Sequence, residues 1–414
     1  MTDIARTVDA VWRIESSRIV ATLAKVTGDI ALAEDMAQEA VVDALRQWPE
    51  SGVPDNPGAW LTAVAKRKVI DGWRRRERLD DRYHAMAAEL EQSGDEEWKP
   101  IPDDVLHLIF TACHPVLSRE AQIALTLRVV GGLTTEEIAR MLLVPVATVQ
   151  QRIVRAKKTL SAARVPFEAP DPSEWSGRVS AVLSVVYLIF TEGYAATSGD
   201  RWIRTELANE ALRLGRVLVG LLPREPDVHS LVALMEFQAS RFGARVARDG
   251  SPILLADQNR SRWDRAQIER GRAALRRADA LGRDLGRARS SYGLQAAIAQ
   301  CHAVAPSVAD TDWDSIVVLY EALGRIASNP IVELNRAVAV SMATGPASAL
   351  LIVDRIVADG SLRGLPLVPS VRGELLTRLG RVDEARSELT TALDLTHNER
   401  ERDVLRDKLA ALSP

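Results

Sequence analysis

The chain has 414 residues, of which 47% are hydrophobic and 26% charged, and its formal net charge is −3. At about 100–200 residues per domain, this length predicts two to four domains. The ordinary globular composition excludes wholesale disorder and fibrous folds. The two cysteines are too few for a disulfide-built secreted fold and indicate a reducing compartment.

The sequence also argues against a membrane segment. The N-terminus lacks the charged-then-apolar pattern of a signal peptide. The longest apolar stretch, residues 181–190, is well short of the ~20 residues that a membrane helix needs. We therefore predict a soluble, cytoplasmic protein with no membrane partner.

Apolar residues recur at three- and four-residue intervals almost throughout, which predicts an all-α fold. Two Pro-rich polar stretches, 93–102 and 166–172, have the composition of domain linkers. Residues 81–102 carry six acidic and two basic side chains, so the first linker is acidic. The predicted organisation is therefore three domains, at about 1–80, 103–165 and 175–414, with the acidic linker at 81–102.

The first predicted domain contains a polar stripe. Asp35, Gln38 and Glu39 are spaced i, i+3 and i+4, so they share one face of a helix. Two interpretations are open: a solvated helix face, or a docking stripe for a partner that offers cations.

A basic helix follows the stripe and begins near Asn56. Between residues 66 and 78 it carries seven cations and two anions, so it is a candidate phosphate-binding surface. Its predicted buried face consists of Trp60, Val64, Ile70 and Trp73.

Residues 133–158 have the pattern of a helix-turn-helix. Thr134 is a good N-cap, and Glu137 three residues later predicts a capping box. A break near Pro145 places this proline in the first turn of the second helix. From 149 to 164 the chain has five cations and no acid, a composition suited to a DNA major groove, although a solvated surface helix is the alternative. The predicted inner face of the second helix consists of Val149, Ile153 and Ala156.

The third predicted domain is rich in Ala, Leu and Arg, and its end fits a tetratricopeptide-like (TPR-like) register. Gly345 lies 35 residues before Gly380, which predicts an earlier, degenerate copy starting near Leu334, while a plain helical bundle is the alternative. The small or apolar positions of the register, which let two helices approach closely, are Gly373, Gly380, Ala385, Leu389 and Ala392.

Several polar and aromatic residues stand in apolar surroundings in this third domain. They either line a ligand or partner groove, or cap helices and pair charges in the interior. The residues are Glu192, Tyr194, Asp257, Arg260, Trp263, Asp312, Trp313, Asn335 and Arg336.

Two Cys-His dipeptides, at 113–114 and 301–302, are the only tempting metal or nucleophile pattern. They lack the local ligand pairs that zinc sites use, so we expect buried helix residues and no metal. No phosphate-binding loop or hydrolase motif occurs, so we predict no enzyme and no cofactor.

Three segments together resemble regions 2 and 4 of bacterial extracytoplasmic-function (ECF) sigma factors over about 160 residues. They are AEDMAQEAVVDALRQWP, NPGAWLTAVAKRKVIDGWRRRER and LTTEEIARMLLVPVATVQQRIVRAKK. Further segments resemble the subfamily with a long C-terminal helical extension, namely LIFTACHP, FTEGYAATSGD, DQNRSRWDR, the Asp312–Trp313 pair and LNRAVAV.

The resemblance implies a sigma factor that directs core RNA polymerase to specific promoters, with its second domain on the β flap and its acidic linker near the RNA exit channel. The stripe Asp35, Gln38 and Glu39 is implied to bind the clamp of the β′ subunit. The implied −10 contacts are Asn56, Trp60, Lys66, Arg67, Lys68, Asp71, Arg74, Arg75 and Arg76. The implied −35 contacts are Thr148, Gln150, Gln151, Arg152, Arg155, Lys157 and Lys158.

The extension is implied to regulate activity, with a candidate groove at Tyr194, Arg260, Trp263, Asn335 and Arg336. Relatives are often encoded beside small DGPF or YCII-related proteins, which makes such a protein a candidate partner. The alternative function is a helix-turn-helix activator with a helical-repeat sensor, which leaves the stripe, the basic helix and the acidic linker unexplained. A helical-repeat scaffold that binds RNA or lipid is a third hypothesis.

Overall fold

The computed structural model describes residues 3–75, 102–142, 144–168, 170–171, 173–194, 205–247, 253–327, 329–360, 362–396 and 399–412. Over these residues the chain forms 19 α-helices and two short 3-10 turns without a β-sheet, so the predicted all-α class is confirmed. None of the described helices is both long and apolar enough to cross a bilayer. The chain divides into two compact units, residues 1–189 and 190–414. Most of the predicted acidic linker lies outside the described residues.

The first unit begins with three helices: α1 (Asp3–Thr27), α2 (Ile30–Ser51) and α3 (Pro57–Arg75). Helix α1 ends at Gly28, whose φ of +64° suits glycine. Asp29 then caps α2, because its carboxylate accepts the backbone N–H groups of Ala31 and Leu32. The buried stripe of α1 follows the predicted helical period and includes Val8, Trp12, Ile19 and Leu23.

The first unit continues with α4 (Pro102–Ala112), α5 (Arg119–Val129), α6 (Thr135–Leu142) and α7 (Val146–Ala162). Helix α1 packs against α4 and α5, so the N-terminal helices and the helix-turn-helix share one compact unit. Helix α8 (Trp175–Tyr194) follows, and its Trp175 ring lies 5.3 Å from the ring of Phe110 in α4.

The second unit is built around α10 (Pro226–Ala239), which is buried along almost its whole length. It packs against α9 (Thr205–Leu221), α12 (Arg265–Asp284) and α13 (Ser291–Val304). Between α10 and α12 lie α11 (Phe242–Arg245) and the 3-10 turns Leu255–Asp257 and Arg260–Arg262.

The remaining helices pack in sequence, each on the next, as in stacked helical hairpins. Gly345 and Gly380 occupy the turns inside two successive hairpins, with φ of +109° and +73°, at the 35-residue spacing noted in the sequence. At Gly373 a Cβ atom would lie 2.8 Å from Leu389, so glycine permits close helix contact. These helices are α14 (Trp313–Ile326), α15 (Pro330–Ala343), α16 (Pro346–Asp359), α17 (Leu367–Arg378), α18 (Val382–Leu395) and α19 (Glu399–Ala411).

Candidate nucleic-acid and polymerase interface

The helix-turn-helix is fixed locally by the predicted capping box. The Thr134 backbone N–H donates to Glu137 Oε2 at 2.8 Å, and the Glu137 backbone N–H donates to Thr134 Oγ1 at 3.1 Å. The box satisfies donors at the start of α6 that have no partner within the helix. Pro145 differs slightly from the prediction, because it lies one residue before α7 with an extended backbone.

Helix α7 presents its polar residues outward. Its buried side consists of Val149, Ile153, Ala156 and Leu160, which confirms the predicted inner face. Four of the predicted −35 contacts are exposed, namely Gln150, Gln151, Arg155 and Lys158. Thr148 and Arg152 are half-buried on the flank. Helix α7 therefore carries an accessible face of amide and cationic groups, the chemistry that reads base edges and phosphates.

Lys157 is turned away from that face. Only 12% of its side chain is exposed, and its Nζ donates to Glu34 Oε2 at 2.5 Å and to Asp35 Oδ1 at 3.3 Å. In this conformation Lys157 is therefore paired with α2, whereas the sequence pattern predicts a phosphate contact.

The basic helix α3 is capped by Asn56, whose side-chain oxygen accepts the Ala59 backbone N–H at 3.1 Å. The Trp60 ring is half-buried, edge-to-face with Trp48 at 5.4 Å. The buried face of α3 differs from the prediction: Trp60 and Val64 are half-buried, and Ile70 is the one buried residue among the predicted side chains that the structure describes. The fully buried apolar residues of α3 are Leu61, Ala65, Val69 and Ile70.

The cations of α3 are accessible, paired with acids of α2, or outside the described side chains. Arg67 is exposed and Lys66 half-buried. Lys68 pairs with Asp43 at 2.8 Å and with Glu39 at 3.3 Å, and the hydrogen bond that Lys68 donates to Asp43 is the main cause that raises the pKa of Lys68. Asp71 is exposed as well. The side chains of Trp73, Arg74 and Arg75, and all of Arg76, lie outside the described residues.

The polar stripe of α2 lies at the surface, and lysines contact both of its carboxylates. The side chains of Asp35 and Glu39 are 65% and 57% exposed, and Gln38 is half-buried. Asp35 pairs with Lys157 and Glu39 with Lys68, so each acid meets a lysine predicted to bind DNA. The stripe therefore binds cations already within this chain, which is the chemistry predicted for its docking role.

Glu34 was missed by the sequence pattern. It is only 5% exposed, and Arg128 of α5 donates to its Oε1 at 2.7 Å while Lys157 donates to its Oε2. A signal existed: Glu34 lies on the same face as the small buried residues Ala33, Ala37, Ala40 and Ala44, where an acid needs a partner.

Three residues of the candidate groove in the extension do come together. The guanidinium of Arg260 lies 4.9 Å from the centre of the Trp263 ring, and that of Arg241 lies 5.8 Å from both the Trp263 and Tyr194 rings. Arg241 also donates to the Tyr194 hydroxyl. No local sequence pattern distinguishes Arg241, which the prediction did not include.

The other members of the candidate groove lie elsewhere. Arg336 pairs with Glu333 at 2.6 Å and with Glu321 at 3.8 Å, and Asn335 is exposed on the same helix. Asp312 caps α14 by accepting the Ser315 backbone N–H at 2.9 Å. These residues follow the alternative interpretation, in which polar groups of the extension cap helices and pair charges.

Cys113 is buried in the turn that follows α4, while His114, Cys301 and His302 are half-buried, so the expected buried helix residues are found only in part. Burial raises the pKa of Cys113 to about 12, so this thiol is a poor nucleophile. Burial, and secondarily the charges of Arg241 and Arg260, lowers the pKa of His302 to about 4. In the described part of the chain no group of three side chains could hold a metal ion.

Three known families match this chain, and the matched ranges follow the order of the sequence motifs. Residues 13–79 match Sigma-70 region 2, residues 107–160 match Sigma-70 region 4, and residues 178–279 match a family of unknown function, DUF6596. Comparison with solved structures gave no match.

Relatives agree with this division. A Rhizobium meliloti protein, described as uncharacterized protein R00370, is 40% identical over 93% of this chain and 91% of its own length. The probable ECF RNA polymerase sigma factor SigI of Mycobacterium tuberculosis is 29% identical over 38% of this chain and 56% of its own length. The ECF RNA polymerase sigma factor SigL of the same species is 30% identical over 33% of this chain and 76% of its own length.

The two matched regions and the helix-turn-helix together define a sigma-70 family protein, a DNA-binding factor for transcription initiation that works with core RNA polymerase. Sigma factors of this family are not enzymes. More specifically, the chain belongs to the ECF sigma factors with a long C-terminal helical extension.

Proposed function

We propose that this sigma factor uses its three surfaces separately. The stripe Asp35, Gln38 and Glu39 binds the β′ clamp, α3 engages and helps to melt the −10 element, and α7 reads the −35 element while its domain lies on the β flap. Because core polymerase is its partner, the protein acts in the cytoplasm and has no catalytic role of its own.

The observation that carries this proposal is the exposed face of α7. Its two glutamines and two cations are accessible on a helix whose inner face, Val149, Ile153, Ala156 and Leu160, is buried. Glutamine bonds adenine in the major groove and arginine bonds guanine, while lysine neutralises phosphate. A helix-turn-helix activator without polymerase contacts would not need the carboxylate stripe.

Transcription by purified core polymerase tests the −35 role. We expect Arg152→Ala to lose about 1–3 kcal/mol of discrimination at one position of the −35 element, because a bidentate base contact is removed. Lys158→Ala is the matched variant and should weaken all promoters alike. Initiation from promoters mutated at each −35 position measures both; an equal loss on scrambled −35 sequences would show that Arg152 does not read bases.

We further propose that the extension regulates the sigma domains, and that a DGPF or YCII-related protein acts with it. A chain ending at residue 189 keeps the first compact unit, including the contact of Trp175 with Phe110. We expect this truncation to change core affinity or promoter output several-fold. Transcripts quantified on a denaturing gel provide the measurement of promoter output. Unchanged affinity and output would remove the regulatory role.

A further inference from the structure

A polar cleft in the second unit has no part in the functions proposed above. It has a volume of about 520 Å³ and opens between α9, the C-terminal end of α10 and the start of α12. Small-molecule sites typically measure about 300–1,000 Å³. All of its lining residues fall within residues 178–279, the range that matches the family of unknown function. The cleft therefore belongs to this part of the extension, and its size suits a small ligand.

Arginines from three elements line the cleft: Arg216 of α9, Arg262 of the second 3-10 turn and Arg270 of α12. Arg262 is exposed, and the side chains of Arg216 and Arg270 are each 48% exposed. Among the described residues the lining contains one carboxylate, that of Asp264, which caps α12 by accepting the Gln267 backbone N–H at 3.0 Å. Positive charge therefore exceeds negative charge around the cleft.

A buried carboxylate fixes two of these arginines. Glu236 of α10 is 1% exposed, and its Oε1 accepts from Arg216 Nε at 3.0 Å, from Arg216 Nη2 at 2.6 Å and from Arg270 Nε at 3.3 Å. Within the described chain, Nη1 of Arg216 and both terminal nitrogens of Arg270 form no hydrogen bond. Because one side of each guanidinium is already held, the remaining donors need little ordering when a ligand binds.

The remaining donors define the chemistry of the ligand. Guanidinium N–H groups match the paired oxygens of phosphate and carboxylate groups, and such charge-assisted bonds are stronger than neutral ones. Asn209 and Gln267 also line the cleft, and their side-chain amides bond no other described residue. An amide both donates and accepts, so it suits the uncharged polar part of a ligand. The lining thus fits a small polar molecule that ends in an oxyanion.

We propose that this cleft is a binding site for a small polar molecule with a phosphate or carboxylate group, whose oxygens accept from Arg216, Arg262 and Arg270. Glu236 is a positioning residue: it orients two of the guanidiniums and does not touch the ligand. The site goes beyond the proposed function and does not depend on it, because neither polymerase nor promoter DNA takes part in the binding.

Two simple anions probe the cleft in the full-length chain at constant ionic strength. Line broadening in ³¹P NMR detects binding of inorganic phosphate, and saturation-transfer NMR of succinate detects binding of a carboxylate. We expect the wild-type chain to bind at least one of these probes at millimolar concentration. Arg262→Gln and Arg270→Gln should each weaken that binding about tenfold, because each variant removes a charge-assisted bond. The probe that binds identifies the oxyanion.

Arg283→Gln is the matched control, because Arg283 is an exposed arginine of the same helix that lies about 20 Å beyond Arg270 and outside the cleft. It should bind the probe as the wild type does. Arg262 bonds no described residue, so Arg262→Gln should also keep the wild-type thermal unfolding, and it decides the result if Arg270→Gln fails to fold.

Two results overturn the site. One is that neither probe binds the wild-type chain. The other is binding that Arg262→Gln leaves unchanged or that Arg283→Gln weakens equally, because this would show a general attraction of anions to an arginine-rich surface.

Discussion

Replacing Gly132 by alanine should weaken the packing of α1 on α4 and α5 by about 3 kcal/mol. Gly132 has a φ of +69°, a conformation that costs a residue with a Cβ atom about 1–2 kcal/mol. A Cβ atom there would also lie 2.4 Å from the Oγ of Ser16, a residue only 1% exposed, so α1 has to shift. Calorimetric unfolding of the full chain, with hydrogen exchange to assign the affected helices, measures the loss.

A second substitution separates the two causes. Ser16→Ala removes the obstructing Oγ. The Gly132→Ala, Ser16→Ala double variant should therefore regain roughly half of the lost stability, while the cost of the positive φ remains. Gly177→Ala is the matched control, because a Cβ atom at this position in α8 meets no atom within 4 Å and alanine favours helix. Equal stability of Gly132→Ala and wild type would mean that α1 does not approach Gly132 this closely.

Arg260→Ala should lower the stability of the second unit by about 3 kcal/mol. Arg260 is 7% exposed, and one of its nitrogens donates to the carbonyls of His302 and Ala305 at 2.8 Å each. Without the guanidinium these acceptors are left unpaired, at about 1–3 kcal/mol per buried group. Denaturant unfolding of the full chain, with hydrogen exchange over residues 253–327, provides the measurement.

Arg336→Ala is the comparison for Arg260→Ala, because the sequence placed both arginines in one candidate groove. Arg336 forms an i, i+3 pair with Glu333 on its own helix, so its removal should cost less than about 1 kcal/mol. Similar losses for the two variants would contradict the structural role of Arg260.

Sequence patterns predicted the parts of the site that depend on neighbouring residues. The capping box joins residues three apart, and the inner face of α7 follows from a period of 3.6, so both could be read directly. The repeat of Gly345 and Gly380 was predictable for the same reason, because a turn with positive φ has a strong preference for glycine.

Contacts between residues distant in the sequence could not be predicted in this way. Lys157 lies in a run of cations whose composition predicts an exposed helix face. It instead pairs with Glu34, which is 123 residues away in the sequence. The inner face of α3 was predicted only in part: the Trp60 ring is half-buried and packs edge-to-face with Trp48 of the preceding helix. The cluster of Arg241, Tyr194 and Trp263 likewise depends on three separate elements that meet only in the folded unit.

The pairing of Glu34 with Arg128 and Lys157 also constrains which substitutions the first unit tolerates. A neutral residue in place of Glu34 leaves two positive charges facing each other, and an acid in place of Lys157 adds repulsion to a buried carboxylate. A substitution at any one of these positions therefore changes the charge that the other two meet, although the three are far apart in the sequence.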